Sequence, residues 1–261
     1  MSINEELIQI DKRLSTLFPK NNDLYKELNE FLQSGSKRIR SKFALLYLKA
    51  NNITVTDKII AILSAGEIIH NASLLHDDIL DNSFTRRGKD TVGKLFSQNL
   101  SILSGDYLLS TAVSMLLSLN NTSILDIFNN CIKKMIDAEF SQYFLRGEVP
   151  SLEKYLEICS GKTAELFSAM LECSLLIAKQ DMRKAVQISK KFGLLFQIKN
   201  DISLISREND IKNKNYTAID ILGIEKTKNL ADNYKEEILS IINTLPANIY
   251  RKELEDLITN L

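Results

Sequence analysis

Apolar residues recur along this chain at intervals of three and four, with no sustained alternation at two. Ile3, Leu7, Ile10, Leu14 and Leu17 fall on one helical face, and Pro19 closes that run. Further helical runs are predicted over 23–32, stopped near Gly35, and over 36–50, broken by Asn51 and Asn52. Thr56 or Asp57 can cap a long, very apolar run through Ile60, Leu63, Ile68, Ile69, Leu74 and Leu75 to about Asp81. A polar loop with Gly88 spans 82–90. Helices follow over 93–99, 101–119, 123–146, a continuous 152–178, and 181–208 with Asp181 as cap. After a polar loop at 209–215, three pieces at 218–222, 225–243 and 247–259 complete the chain. The pattern predicts no sheet. It predicts one all-α domain over 1–261, a bundle of about ten helices.

Composition supports this. The 261 residues contain only 9 glycines and 3 prolines, so breakers are few. Lys+Arg and Asp+Glu both number 33, and zero net charge gives no global field toward nucleic acid, so any basic site must be local. Cys131, Cys159 and Cys173 form no Cys-x-x-Cys pair and read as reduced, buried small side chains. The stretch 107–119 is interrupted by Ser110, Thr111, Ser114 and Ser118, so no membrane span is expected. The first residues have neither a basic nor an apolar targeting segment, so no signal peptide is expected and the expected compartment is the cytoplasm.

One stretch carries concentrated chemistry. Asp77, Asp78 and Asp81 crowd into five residues, and Arg86 and Arg87 follow at once. On a helix Asp77 and Asp81 share a face, with Asp78 about 100° round the axis. His70 lies two turns before Asp77 on nearly the same face. A helix C-terminus disfavours acidic charge, so such a cluster needs cations. Carboxylates suit a divalent metal and arginines suit an anion with several oxygens, which is the chemistry of a magnesium-bridged diphosphate. His76 adjoins the aspartates but points off their face and reads as structural. Lys37 and Arg40, three apart at a helix start, form a second candidate anion site. Lys162 sits mid-helix among Ala164, Leu166 and Phe167, where a cation needs an anionic partner.

Leu-Leu-His-Asp-Asp-Ile-Leu-Asp (74–81) followed by Arg86-Arg87-Gly88 resembles the first aspartate-rich motif of trans-polyprenyl diphosphate synthases. Gly-Ser-Lys-Arg-Ile-Arg (35–40), Gly161-Lys162-Thr163-Ala164 and the run 192–197 ending in Gln197 are similar to three further motifs of that family, in the same order. The resemblance implies an all-helical fold around a central cavity and an enzyme, a head-to-tail prenyltransferase. That enzyme condenses isopentenyl diphosphate with an allylic diphosphate (geranyl, farnesyl or geranylgeranyl). It implies that Lys37, Arg40, His70 and Arg87 bind isopentenyl diphosphate and that Arg86 and Lys162 bind the allylic diphosphate. Thr163 and Gln197 would turn dipoles toward the developing allylic cation. Two or three Mg²⁺ ions, bridged by substrate diphosphate, would be held by Asp77, Asp78 and Asp81 on one side and by Asn200 and Asp201 on the other. A homodimer is implied, with a hetero-oligomer as the variant.

The second aspartate-rich motif departs from the family. Asn200-Asp-Ile-Ser-Leu204 keeps one carboxylate of three. The following segment is short, with Lys212 or Lys214 as candidates to aid diphosphate binding. Two other readings therefore stay open. One is a weakly active or regulatory subunit of a hetero-oligomeric synthase. The other is a class I terpene cyclase, since Asn200, Asp201 and Glu208 fall at the spacing of that family's metal motif, with Leu204 in the place of its serine. Ala72 and Ser73 are small where short-chain synthases place an aromatic floor, which implies a product longer than fifteen carbons. Phe140 or Phe144 could limit it further along.

Overall fold

The computed structural model describes residues 2–19, 21–33, 37–203 and 213–261. It folds as two compact units: residues 1–45 with 55–125, and residues 46–54 with 126–261. Helices dominate: α1 (Ile3–Leu14), α2 (Asp23–Gln33), α3 (Ile39–Ala50), α4 (Asp57–Leu80), α5 (Val92–Leu95), α6 (Gln98–Leu117) and α7 (Thr122–Phe144). After them come α8 (Leu152–Cys159), α9 (Glu165–Ile177), α10 (Arg183–Ile202), α11 (Ala218–Leu222), α12 (Ile224–Ile242) and α13 (Ile249–Thr259). Thirteen helices among the described residues exceed the expected ten or so, partly because α5 and α11 are single turns and the 152–178 run is divided.

In the first unit α4 is the axis, packed against α6, α1 and α5. Its start is fixed by Thr56, whose hydroxyl accepts from the Ile59 N–H. Ile59, Ile62, Leu63, Ile68, Ala72 and Leu75 are buried almost all round the helix. Such a helix matches its uniformly apolar sequence better than an amphipathic surface helix would. Both α4 and α6 are long and apolar enough to cross a membrane by length and composition. However, α4 is a buried core helix. In contrast, α6 leaves Leu103, Tyr107, Val113 and Leu117 exposed beside Ser110 and Ser114.

The loop expected to be free of sheet contains a two-stranded ribbon, β1 (Thr85–Arg86) with β2 (Lys89–Asp90). Its turn residues, Arg87 at φ +52 and Gly88 at φ +77, both lie in the left-handed region. A two-residue hairpin requires that geometry, and it is too short for any alternation of side chains to betray it.

In the second unit α10 is central, packed against α9, α12 and the segment between α8 and α9. That segment, Ser160–Ala164, is wound as a π-helix rather than continuing α8 as expected. Close approach shapes it. A Cβ on Gly161 would stand 2.5 Å from the Ala138 Cβ, and one on Gly193 would stand 2.4 Å from the Ala164 Cα. Helix periodicity alone does not distinguish a π-turn from an α-turn, so the sequence gives no warning of it. Gly193→Ala should destabilise the protein by about 1–3 kcal/mol through overpacking against backbone, read as a lower urea midpoint at unchanged slope.

Candidate active site

The first unit assembles one set of candidate residues along α4. Asp81 is its C-cap, and its N–H bonds to the Asp77 carbonyl at 2.9 Å, which stands it one turn beyond Asp77. Both carboxylates are half-buried. The expectation gave Asp78 to metal as well. The structure buries Asp78 to 4% exposure and gives its Oδ1 to Arg86, whose Nε donates at 2.7 Å. Burial raises the Asp78 pKa, and Arg86 opposes that rise. The ribbon β1–β2 makes the pairing possible by returning the chain just after α4 ends. With its Nε committed to Asp78, Arg86 keeps its terminal nitrogens for an anion.

His70 lies seven residues before Asp77 on the same helix. Burial first, and then the cations Arg40, Arg87, Arg86 and Arg38, hold its pKa well below the ordinary 6.5. Neutral His70 is therefore the resident form, able to donate from one ring nitrogen and accept at the other. The same interactions show that four guanidiniums gather around it. The sequence grouped Arg40 and Arg87 with His70, gave Arg86 to the allylic diphosphate, and offered no sign of Arg38.

Arg38 is a buried pin. It lies at φ +47 and 4% exposure, donating to the Asp11 carboxylate at 2.8 Å, the Leu32 carbonyl at 2.6 Å and Glu67 at 3.5 Å. Glu67, 1% exposed on α4, also accepts from the Ser41 N–H at 3.3 Å and the Ser41 hydroxyl at 2.7 Å. This network ties the first turn of α3 to α4. It also changes the basic pair. The helix starts at Ile39, so exposed Lys37 lies outside it, and Arg40 occupies the first turn, buried. The two do not share a helix face as expected. Gly35 lies outside the described residues. His76, as expected, is turned to structure: its ring packs on Gly105 and lies 3.3 Å from both the Ile102 carbonyl and Asp106.

The second unit holds the other set. Lys162 rides on the π-turn, ion-paired with Glu139 at 2.5 Å and bonded to the Gln142 carbonyl, so α7 supplies the anion its surroundings require. The Thr163 hydroxyl donates to the Gln197 carbonyl at 3.2 Å, and the Gln197 amide donates to Asp201 Oδ1 at 2.9 Å. Asp201 was expected to hold metal. It is 2% exposed, and its Oδ2 accepts from the Tyr155 hydroxyl at 2.6 Å and the Ala218 N–H at 2.8 Å. Asn200 is half-buried beside it. Lys214 stands at φ +56, its carbonyl accepting from the Gly147 N–H at 2.9 Å. Leu204, Glu208 and Lys212 lie outside the described residues.

Magnesium takes one or two carboxylates and fills its shell with water and substrate phosphate, so a complete protein cage is not the arrangement to look for. Among the described residues no three of His, Cys, Asp and Glu converge to hold an ion by themselves. Asp77 and Asp81, half-buried and one turn apart at a helix end without basic residues, fit such a shared ion. The buried Asp78 Oδ2 has no hydrogen-bond partner, while its carboxylate is ion-paired through Oδ1 to Arg86.

Comparisons with known proteins show the family and the fold. The polyprenyl synthetase family model matches residues 21–245. The short chain isoprenyl diphosphate synthase of Methanocaldococcus jannaschii is 29% identical over 282 residues, covering 99% of this chain and 82% of that protein. The crystal structure of heptaprenyl diphosphate synthase from Staphylococcus aureus has the same fold, with a TM-score of 0.92 at 22% identity, covering 100% of this chain and 98% of that one. A Helicobacter pylori geranyltransferase, crystallised with magnesium and isoprenyl diphosphate, superposes with a TM-score of 0.82 at 22% identity, covering 99% and 95%.

His70 also gives the site a pH signature. The unfolded chain binds a proton on this histidine near pH 6.5, and the folded chain does not. Stability should therefore fall as pH drops below about 6.5, by up to about 1.4 kcal/mol per pH unit, and be flat above it with respect to this group. His70→Gln should flatten that slope in urea unfolding measured from pH 7 to 5.

Proposed function

The chain belongs to the polyprenyl synthetase family, and from that premise we propose that it catalyses head-to-tail prenyl transfer. In this reaction the double bond of isopentenyl diphosphate attacks the allylic carbon of a geranyl, farnesyl or geranylgeranyl diphosphate. Diphosphate leaves, one C–C bond forms, and a proton is lost. The observation that carries this reading is the gathering of Asp77, Asp81 and four arginines about the C-terminal half of α4.

Asp77 and Asp81 are the residues that would hold two or three magnesium ions, which when bound draw charge off the leaving diphosphate. Arg86, fixed by Asp78, steadies the same anion, and Lys162 does so from the π-turn. Arg40, Arg87 and Lys37 grip the diphosphate of the second substrate, and neutral His70 donates a hydrogen bond to it. Thr163 gives its proton to Gln197, so its oxygen lone pairs remain to stabilise positive charge on the allylic fragment. No side chain need act as nucleophile.

The hydrocarbon follows α4 away from the aspartates, past Ala72 and Ser73, and its product exceeds fifteen carbons. Ala72 is fully buried and Ser73 half-buried, so Ser73 is the position that can present a blocking ring. Phe140 and Phe144 are exposed in their own unit. The apolar and small stripe Leu103, Tyr107, Ser110, Ser114 and Leu117 on α6 supports a homodimer through that face. Three free, buried cysteines support a reducing, cytoplasmic setting.

The test is incorporation of labelled isopentenyl diphosphate by the purified chain with Mg²⁺ and farnesyl diphosphate. Elongated product from the chain alone is expected. Product only after a partner is added would identify a regulatory subunit instead, and a cyclic hydrocarbon would identify a cyclase. Asp77→Ala and Asp81→Ala should each lower turnover by about a thousandfold or more. Ser73→Phe should shorten the product, and an unchanged chain-length distribution on chromatography would refute the path along α4.

A further inference from the structure

We propose that Asp201 is a positioning residue that fixes Gln197, and through Gln197 fixes Thr163, rather than a magnesium ligand. The inference deepens the prenyl-transfer reading and rests on it for its kinetic arm alone.

The carboxylate of Asp201 is surrounded by donors. Oδ2 receives the Tyr155 hydroxyl and the Ala218 N–H, and Oδ1 receives the Gln197 amide. Tyr155 is itself buried, and burial pushes its pKa far upward, so it remains a donor. A magnesium ligand needs outward lone pairs and room for the waters the ion retains. Asp201, 2% exposed, offers neither. The neighbouring motif positions, Asn200 and Leu204, add no charge.

Burial raises the Asp201 pKa while its donors oppose that rise, and with Tyr155, Ala218 and Gln197 all donating to it the carboxylate acts as an acceptor only. It therefore dictates which end of the Gln197 amide faces it. The NH₂ turns to Asp201, and the carbonyl must turn the other way, where it meets the Thr163 hydroxyl. The reversed amide would set two acceptors against each other. The Thr163 proton is consequently committed to Gln197, and the threonine oxygen is left with lone pairs only. One acid thus sets the polarity of a three-residue relay that spans two helical segments of the same unit. The remaining donors tie the acid to α8 and to the start of α11, so the relay is anchored in the core.

Asp201→Asn tests this, because an asparagine can accept from or donate to Gln197 and removes the bias. Three readouts apply: the Gln197 side-chain amide resonance in ¹⁵N NMR, calorimetric binding of Mg²⁺ with inorganic diphosphate, and steady-state kinetics. The expected result is a shifted or doubled Gln197 resonance and unchanged Mg²⁺–diphosphate affinity. kcat should fall about tenfold or more while both KM values stay within about twofold. Affinity weakened about tenfold, with kcat restored by excess Mg²⁺, would overturn the proposal in favour of a metal ligand. An unmoved Gln197 resonance would overturn it as well. Should Asp201→Asn fail to melt cooperatively, Tyr155→Phe, which removes one donor and keeps the Gln197 bond, gives a graded version. A perturbed Gln197 resonance and a smaller kcat loss are expected, and an unperturbed resonance refutes the relay. If the wild-type chain makes no elongated product, the reaction assignment fails, while the resonance and the metal binding still decide the role of Asp201.

Discussion

Burying a carboxylate is costly unless a cation or several donors meet it, and α4 buries two. Glu67 and Asp78 lie eleven residues apart, which places them within about 20° of each other round the helix. Each recruits one arginine: Glu67 takes Arg38, and Asp78 takes Arg86. Those two arginines come from opposite sides in sequence, one before α3 and one from the ribbon after α4. Satisfying the buried acids therefore brings both basic segments to the same helix. The remaining cations, Arg40 and Arg87, are carried in as neighbours of the pinned pair. His70 sits among them and stays neutral, first because it is buried and then because guanidiniums surround it.

The C-terminal turn of α4 adds a second constraint. A helix end carries partial negative charge, and this one has three aspartates and no basic residue in its last turn. The helix cannot balance that charge from within. Arg86 meets Asp78, and Asp77 and Asp81 stand half-buried one turn apart. The second unit handles its own buried acid differently. Asp201 takes three neutral hydrogen bonds, from Tyr155, Gln197 and Ala218; burial raises its pKa and those donors oppose the rise.

Much of this was legible in the sequence, for identifiable reasons. The helices were legible because apolar spacing tracks burial, and α4 stood out because it is apolar all round. The cluster Asp77–Arg87 was legible because so much charge in a buried run has no packing explanation. Arg38 was not legible, since its role depends on Glu67, distant in sequence, and on a left-handed backbone at φ +47 that nothing local signals. The expected helix start at 36 erred because Arg38 occupies that conformation, which a helix excludes. The state of Asp201 was hidden for a similar reason. Tyr155 and Ala218 approach it from 46 and 17 residues away. The ribbon was too short to have a pattern.

The π-turn at Ser160–Ala164 has a consequence for how this protein can change over generations. A π-turn holds one residue more than the α-turn it replaces. Elsewhere in a helix, losing a residue swings everything downstream by about 100° and pulls the apolar face off the core. Here a single-residue loss could be absorbed by collapse of the bulge, leaving Phe167, Met170 and Leu171 in their places. The segment behaves as an expansion joint in an otherwise rigid rod. What such a loss would remove is the turn that carries Lys162 to Glu139 and Thr163 to Gln197, so the fold could tolerate a deletion that those two pairings could not.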